Sequence, residues 1–242
     1  MLRSTIPLDQ LIAYLFGADS LLAAEVGPCL VASPRFRAFA EVYRDKIRKK
    51  ARGLRDDESR RDLAFELAIA LRLLDERRFA VEYESYGVGQ RAPDFRVTFR
   101  SGLRFNVEVR RLRGAAATSS ATADPGRLIR AVCDKLGQLP AAMMNMLVIG
   151  ADGPSSATDT LAPVMQWLEA RAAQKDEALF VQRGFTGTRD FLRHYQRLSG
   201  ALWVVSEPAA PRVSLWRNPQ ARHPLPPDLA RALSQPASRE RG

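Results

Sequence analysis

Two acids, Asp94 and Glu108, stand fourteen residues apart with the turn candidate Ser101-Gly102 between them. Carboxylates brought together on neighbouring strands make an oxygen-rich site for a hard divalent cation such as Mg2+ or Mn2+. Held beside a phosphodiester, such a cation favours its hydrolysis. For that chemistry both acids must face one side of a single ribbon. Phe95, Val97 and Phe99 alternate with Asp94, Arg96 and Thr98. Beyond the turn, Leu103, Phe105, Val107 and Val109 alternate with Arg104, Asn106, Glu108 and Arg110. A period of two on both arms predicts half-buried strands.

The register follows from requiring one apolar face. A two-residue loop would pair Phe95 with Glu108 and mix the faces. A three-residue loop, Arg100-Ser101-Gly102, pairs Phe99 with Leu103, Val97 with Phe105 and Asp94 with Glu108. Glycine at the third loop position suits the left-handed residue of that turn. Directly opposed residues have β-carbons about 5 Å apart. Two carboxylates that close repel unless a cation sits between them. The competing reading is a solvated polar face offset by Arg96, Arg104 and Arg110.

The elements around this ribbon must position it. Residues 1–55 read as helical, with apolar stripes at Leu8, Leu11, Ile12, Leu15 and at Phe36, Phe39, Ala40, Tyr43, Ile47. The second stripe ends in the basic cluster Lys46, Arg48, Lys49, Lys50 and Arg52, a candidate phosphate-contacting edge. A solvated helix end complementing the helix dipole accounts for it equally well. Asp56-Asp57-Glu58 supplies cap and first-turn acids for the next helix. Glu66 is the only charge between Leu63 and Leu71 in that helix. A carboxylate on so apolar a segment needs a partner, either an arginine or the hydration shell of a metal. Strands are expected at Phe79–Tyr83, Met146–Ile149, Leu202–Val205 and Arg212–Trp216, and helices follow Asp124 and span about 160–173. Residues 180–200 read as mixed. A short helix is expected near Asp228–Leu233.

Composition sets the bounds. The chain has 242 residues and a formal charge of +10, with 46% hydrophobic residues. That length makes one domain with extensions, or two small ones. The basic balance favours a polyanionic partner. Lysine occurs only at 46, 49, 50, 135 and 175, and an arginine skew of this kind can also follow base composition. Cys29 and Cys133 read as thiols in a reducing compartment. Arg3, Asp9 and Asp19 interrupt the N-terminal apolar residues, so no signal peptide is expected, and no run is long enough to cross a membrane. A cytoplasmic protein is the expectation. Zinc spacings, a hydrolase nucleophile elbow and a phosphate-loop fingerprint are all missing from the sequence.

The order helix, strand, strand, strand, helix, strand, with acids at Glu66, Asp94 and Glu108, resembles the PD-(D/E)xK nuclease superfamily over roughly residues 60–150. The resemblance implies that Asp94, Glu108 and the Val109 backbone carbonyl bind the metal. It also implies that Glu66 supports the metal's hydration shell. The family's usual lysine is replaced by Arg110, which cannot shed its proton. Arg110 can still stabilise developing charge. Lys135, on the following helix, is a displaced candidate, set against the plainer reading of a solvated helix lysine. Gln138 begins no Gln-x-x-x-Tyr motif.

The sequence therefore predicts an α/β restriction-endonuclease-like core, a central mixed sheet flanked by helices, with an N-terminal helical extension. The expected divisions are 1–57, the helical extension; 58–217, the core with its C-terminal strands; and 218–242, a tail rich in proline and arginine whose end is disordered. The expected function is a Mg2+-dependent nuclease acting on DNA, with dimerisation as one route to cutting both strands. The alternatives are an inactive nuclease-like module that binds nucleic acid or protein, and a structural protein with no nucleic-acid affinity.

Overall fold

A computed structural model describes residues 6–17, 21–84, 93–100, 102–113, 125–152, 161–206 and 211–235. The chain divides into two compact units, one ending at Tyr83 and the other running from Glu84 to Pro236. The expected tail disorder, the glycine-rich 87–89 connection and the small-residue loop 115–123 fall outside the described residues.

The first unit holds helices α1 (Leu8–Phe16), α2 (Leu21–Ala32), α3 (Pro34–Val42), α4 (Arg44–Arg52) and α5 (Asp57–Asp75), then strand β1 (Phe79–Tyr83). Local chemistry sets the starts. Ser33 caps α3 by accepting from the Phe36 amide at 3.2 Å, ahead of Pro34 at the first helical position. Asp56 caps α5 by accepting from the Ser59 amide at 2.6 Å, and Asp57 and Glu58 complement the helix dipole. Leu63, Ala64, Phe65, Leu67, Ile69, Ala70, Leu73 and Leu74 are buried, as an almost wholly apolar segment requires. Arg35 closes the C-terminal end of α5. Its guanidinium donates to the carbonyls of Leu74, Glu76 and Phe79.

The second unit holds strands β2 (Phe95–Phe99), β3 (Leu103–Leu112), β4 (Met144–Asp152), β5 (Gly200–Ser206) and β6 (Arg212–Arg217). They lie side by side in chain order. The outer pairs β2–β3 and β5–β6 are antiparallel; β3–β4 and β4–β5 are parallel. Helix α6 (Pro125–Leu136) connects β3 to β4. Helices α7 (Leu161–Ala173), α8 (Glu177–Gln182) and α9 (Thr188–Tyr195) connect β4 to β5, and α10 (Pro227–Ser234) follows β6. Parallel neighbours need such long crossovers. The fold is α/β, a mixed sheet flanked by helices, consistent with the core predicted from sequence.

The apolar faces of α6, α7 and α9 join Leu147, Ile149, Ala201, Trp203 and Val205 in one buried cluster. A polar clip sits within this unit. The Asn145 side-chain amide donates to the carbonyls of Pro140, Met143 and Arg197 at 2.8–2.9 Å. Its backbone amide donates to Ser199 Oγ at 3.0 Å, so one residue ties the 140–143 and 197–199 segments to the start of β4.

Candidate active site

The β2–β3 register pairs Phe95 with Val107, Val97 with Phe105 and Phe99 with Leu103. That is the three-residue-loop register predicted from the apolar pattern. The left-handed residue of the loop differs from the expectation. Arg100 holds it, at φ 52°, while Gly102 does not adopt positive φ. Arg100 lies over the Phe99 ring at 5.0 Å and reaches Asp228 at 3.3 Å. These contacts hold its side chain in a backbone conformation that non-glycine residues seldom take.

Continuing the register by one pair sets Asp94 beside Glu108. The Asp94 carboxylate accepts from the Val109 amide at 2.7 Å, which anchors it to β3. Glu108 is buried, at 6% exposure. Lys135 Nζ lies 2.6 Å from Glu108 Oε2 and 4.0 Å from Asp94 Oδ2. The plainer sequence reading of Lys135, a solvated helix lysine, is therefore corrected: its side chain is 16% exposed and joins the two acids. Leu128, Val132 and Leu136, all with no exposure, seat α6 on the core and fix where Lys135 projects.

The donor set suits a hard cation. Asp94 and Glu108 bring carboxylate oxygens to one point, and the Lys135 ammonium already marks that point as one that holds positive charge. Val109 adds a further oxygen. In a strand, the amide and carbonyl of one residue share an edge, so the Val109 carbonyl lies on the β2 side of β3, as does the amide that meets Asp94. The register places Pro93 opposite Val109, and proline has no N–H to donate to that carbonyl. The residues present thus fit Mg2+ or Mn2+ through Asp94, Glu108 and the Val109 carbonyl. Among the described residues, no group of three or more His, Cys, Asp or Glu is arranged to hold a metal ion, so any such ion would rely on that carbonyl and on water.

Arg110 lies exposed on β3, two residues beyond Glu108. Arg111, on the opposite face, is 4% exposed and belongs to the interior. Glu66 belongs to the first unit. Lys50 Nζ donates to Glu66 Oε1 at 2.6 Å there, so this half-buried acid has a cationic partner, a lysine in place of the arginine considered from sequence. In the α4 cluster, Lys46 donates to the Tyr83 carbonyl at 3.0 Å and Arg48 stacks over Tyr14 at 4.1 Å. Lys49 and Arg52 are exposed.

No family model matches the sequence, and no curated protein is significantly similar to it. Among solved structures, the chain is similar to that of Pyrococcus furiosus SfsA in complex with Ca2+, at 14% identity and a TM-score of 0.24. The match covers 64% of this chain and 60% of that protein's length. No described helix is long and apolar enough to cross a membrane.

Proposed function

We propose that the chain is a metal-dependent phosphodiester hydrolase acting on nucleic acid, with DNA as the expected substrate. The observation that carries this reading is the convergence of Asp94 and Glu108, from adjacent strands, on the Lys135 ammonium. Asp94, Glu108 and the Val109 carbonyl would hold Mg2+ or Mn2+. A divalent cation there supplies Lewis-acid polarisation of the phosphoryl group and a lowered pKa for water.

The chain's own residues do the rest. The Val109 amide fixes the Asp94 carboxylate, so its orientation is set before substrate arrives. Lys135 places a compact ammonium within reach of both acids. Its ammonium offsets negative charge developing on the phosphoryl oxygens. Arg110, exposed beside the acids, contributes a fixed positive charge toward the phosphate. Lys49 and Arg52 offer phosphate contacts on the first unit.

Relaxation of supercoiled plasmid tests the reading. Mg2+ or Mn2+ is expected to support cutting and EDTA to stop it. Asp94→Asn, Glu108→Gln and Lys135→Met are each expected to slow cutting by about 10²–10⁴-fold. Absence of metal-dependent cutting, or undiminished cutting by Glu108→Gln, overturns the proposal. Binding without cutting would select the inactive nucleic-acid-binding module.

A further inference from the structure

The second unit carries a cleft of about 590 Å³ lined by the end of α7 and by α8, α9 and Arg222. Lys175, Arg189, Arg193 and Arg222 line it, and all four are exposed. The one acid in its lining is Glu177. That carboxylate accepts the Thr188 amide at 2.9 Å, at the start of α9. Gly187 lets it approach: a β-carbon there would collide with Glu177 Oε2. That amide orients the carboxylate without neutralising it, and Glu177 has no cationic partner within 4.0 Å among the described residues, so the lining sets four cations against one acid.

The cations are not neutralised by other means. Arg193 is 4.0 Å from Asp190 and 57% exposed, a geometry in which an ion pair contributes little. Arg222 Nε donates to Gln196 Oε1 at 3.3 Å, a neutral partner that orients the guanidinium and leaves its charge intact. Lys175 and Arg189 have no carboxylate partner within 4.0 Å among the described residues. Lys175 sits at φ 54°, fixed by the turn that ends α7.

We infer that this cleft binds the sugar–phosphate backbone of a nucleic-acid strand without any metal. Four cations from three separate segments, spread around an open concave surface, match a succession of phosphates better than one compact anion. Three of them are arginines, whose planar donor fork fits phosphate oxygens. The inference goes beyond the hydrolase reading and does not rest on it, because the cleft uses none of Asp94, Glu108 or Lys135.

Fluorescence anisotropy of a labelled oligonucleotide in EDTA, over a salt series, tests it. Arg189→Ala/Arg193→Ala/Arg222→Ala is expected to bind about 10–100-fold more weakly at about 0.1 M salt, with a salt slope shallower by about 2–3. The matching triple lysine variant is expected to keep most of the slope, and circular dichroism should show both variants folded. Glu108→Gln should bind as the wild type does, so loss of cutting and loss of this binding are separable. Three results would overturn the inference. One is no binding by the wild type. Another is an unchanged slope in the alanine variant. The last is displacement of the oligonucleotide by an acidic polypeptide as readily as by unlabelled DNA of equal charge.

Discussion

Replacing Lys135 with methionine, which keeps most of the side chain's length and removes its charge, probes the acid cluster directly. Nζ lies 2.6 Å from Glu108 Oε2 and 4.0 Å from Asp94 Oδ2. At an effective dielectric of about 20, those separations correspond to gross attractions of about 6 and about 4 kcal/mol. Desolvation of the ammonium and the mutual repulsion of the acids offset much of this. The substitution then leaves two adjacent carboxylates with no cation between them, one 8% and the other 21% exposed at the side chain. Removing one partner of a buried pair costs about 3–5 kcal/mol. The partial exposure of Asp94 places the expectation near about 3 kcal/mol.

Urea unfolding in EDTA at neutral pH measures that loss. A double-mutant cycle with Glu108→Gln isolates the pair, and its coupling energy should exceed about 1 kcal/mol. Added Mg2+ provides a second arm. A cation that binds the acids competes with the ammonium in the wild type but not in Lys135→Met, so Mg2+ should stabilise the variant more. At a hundredfold excess over Kd, the gain is about 2.7 kcal/mol. A variant within about 0.5 kcal/mol of the wild type, the scatter of ordinary surface substitutions, refutes the electrostatic account. Equal Mg2+ stabilisation of both proteins refutes the competition.

Three further outcomes follow from particular contacts. Gly187 has φ 151°, and an added β-carbon would meet Glu177; Gly187→Ala should therefore cost about 1–3 kcal/mol. Glu177→Ala in the same chain should restore part of that loss, and a thermal melt equal to the wild type's would contradict the clash. Burial pushes the Cys133 thiol up to about 12, so iodoacetamide at mildly alkaline pH should label it only after unfolding, as read by peptide mass. His194 is held below its usual value of 6.5, first by burial and then by Arg197. The folded state therefore resists protonation, and stability is lost as pH falls from 6.5 through the lowered value. His194→Gln should flatten that part of the stability-versus-pH curve, and an identical curve would exclude His194 as its source.

The hairpin was legible because its alternation runs through both arms and only one loop length keeps the apolar residues together. The caps at Asp56 and the buried middle of α5 were legible for similar local reasons. Residues 180–200 were not. Helix α8 has six residues and α9 has eight, too few turns for a 3.6-residue period to declare itself. Their limits are set by other means, namely the Asp176 cap on the Leu179 amide and the Glu177 carboxylate on Thr188. Arg100 taking the left-handed loop position is equally invisible in sequence, since its contact with Asp228 joins residues remote along the chain.

Lys135 is the more instructive case, because its place on α6 already signals that it faces inward. It lies seven residues after Leu128, four after Ala131 and three after Val132, all buried. Those offsets place it on the inward stripe of α6. A lysine on the apolar face of α6 needs a partner as much as Glu66 on the apolar stretch of α5 does. An inward ammonium demands carboxylates within reach. The strand joined to α6 by the 113–124 connection carries Glu108, already paired by register with Asp94. Inward-facing charges of opposite sign on successive elements are therefore evidence of one another, since each removes the burial penalty that would otherwise exclude the other. Lys50 and Glu66, which meet at 2.6 Å from α4 and α5, compensate each other in the same way.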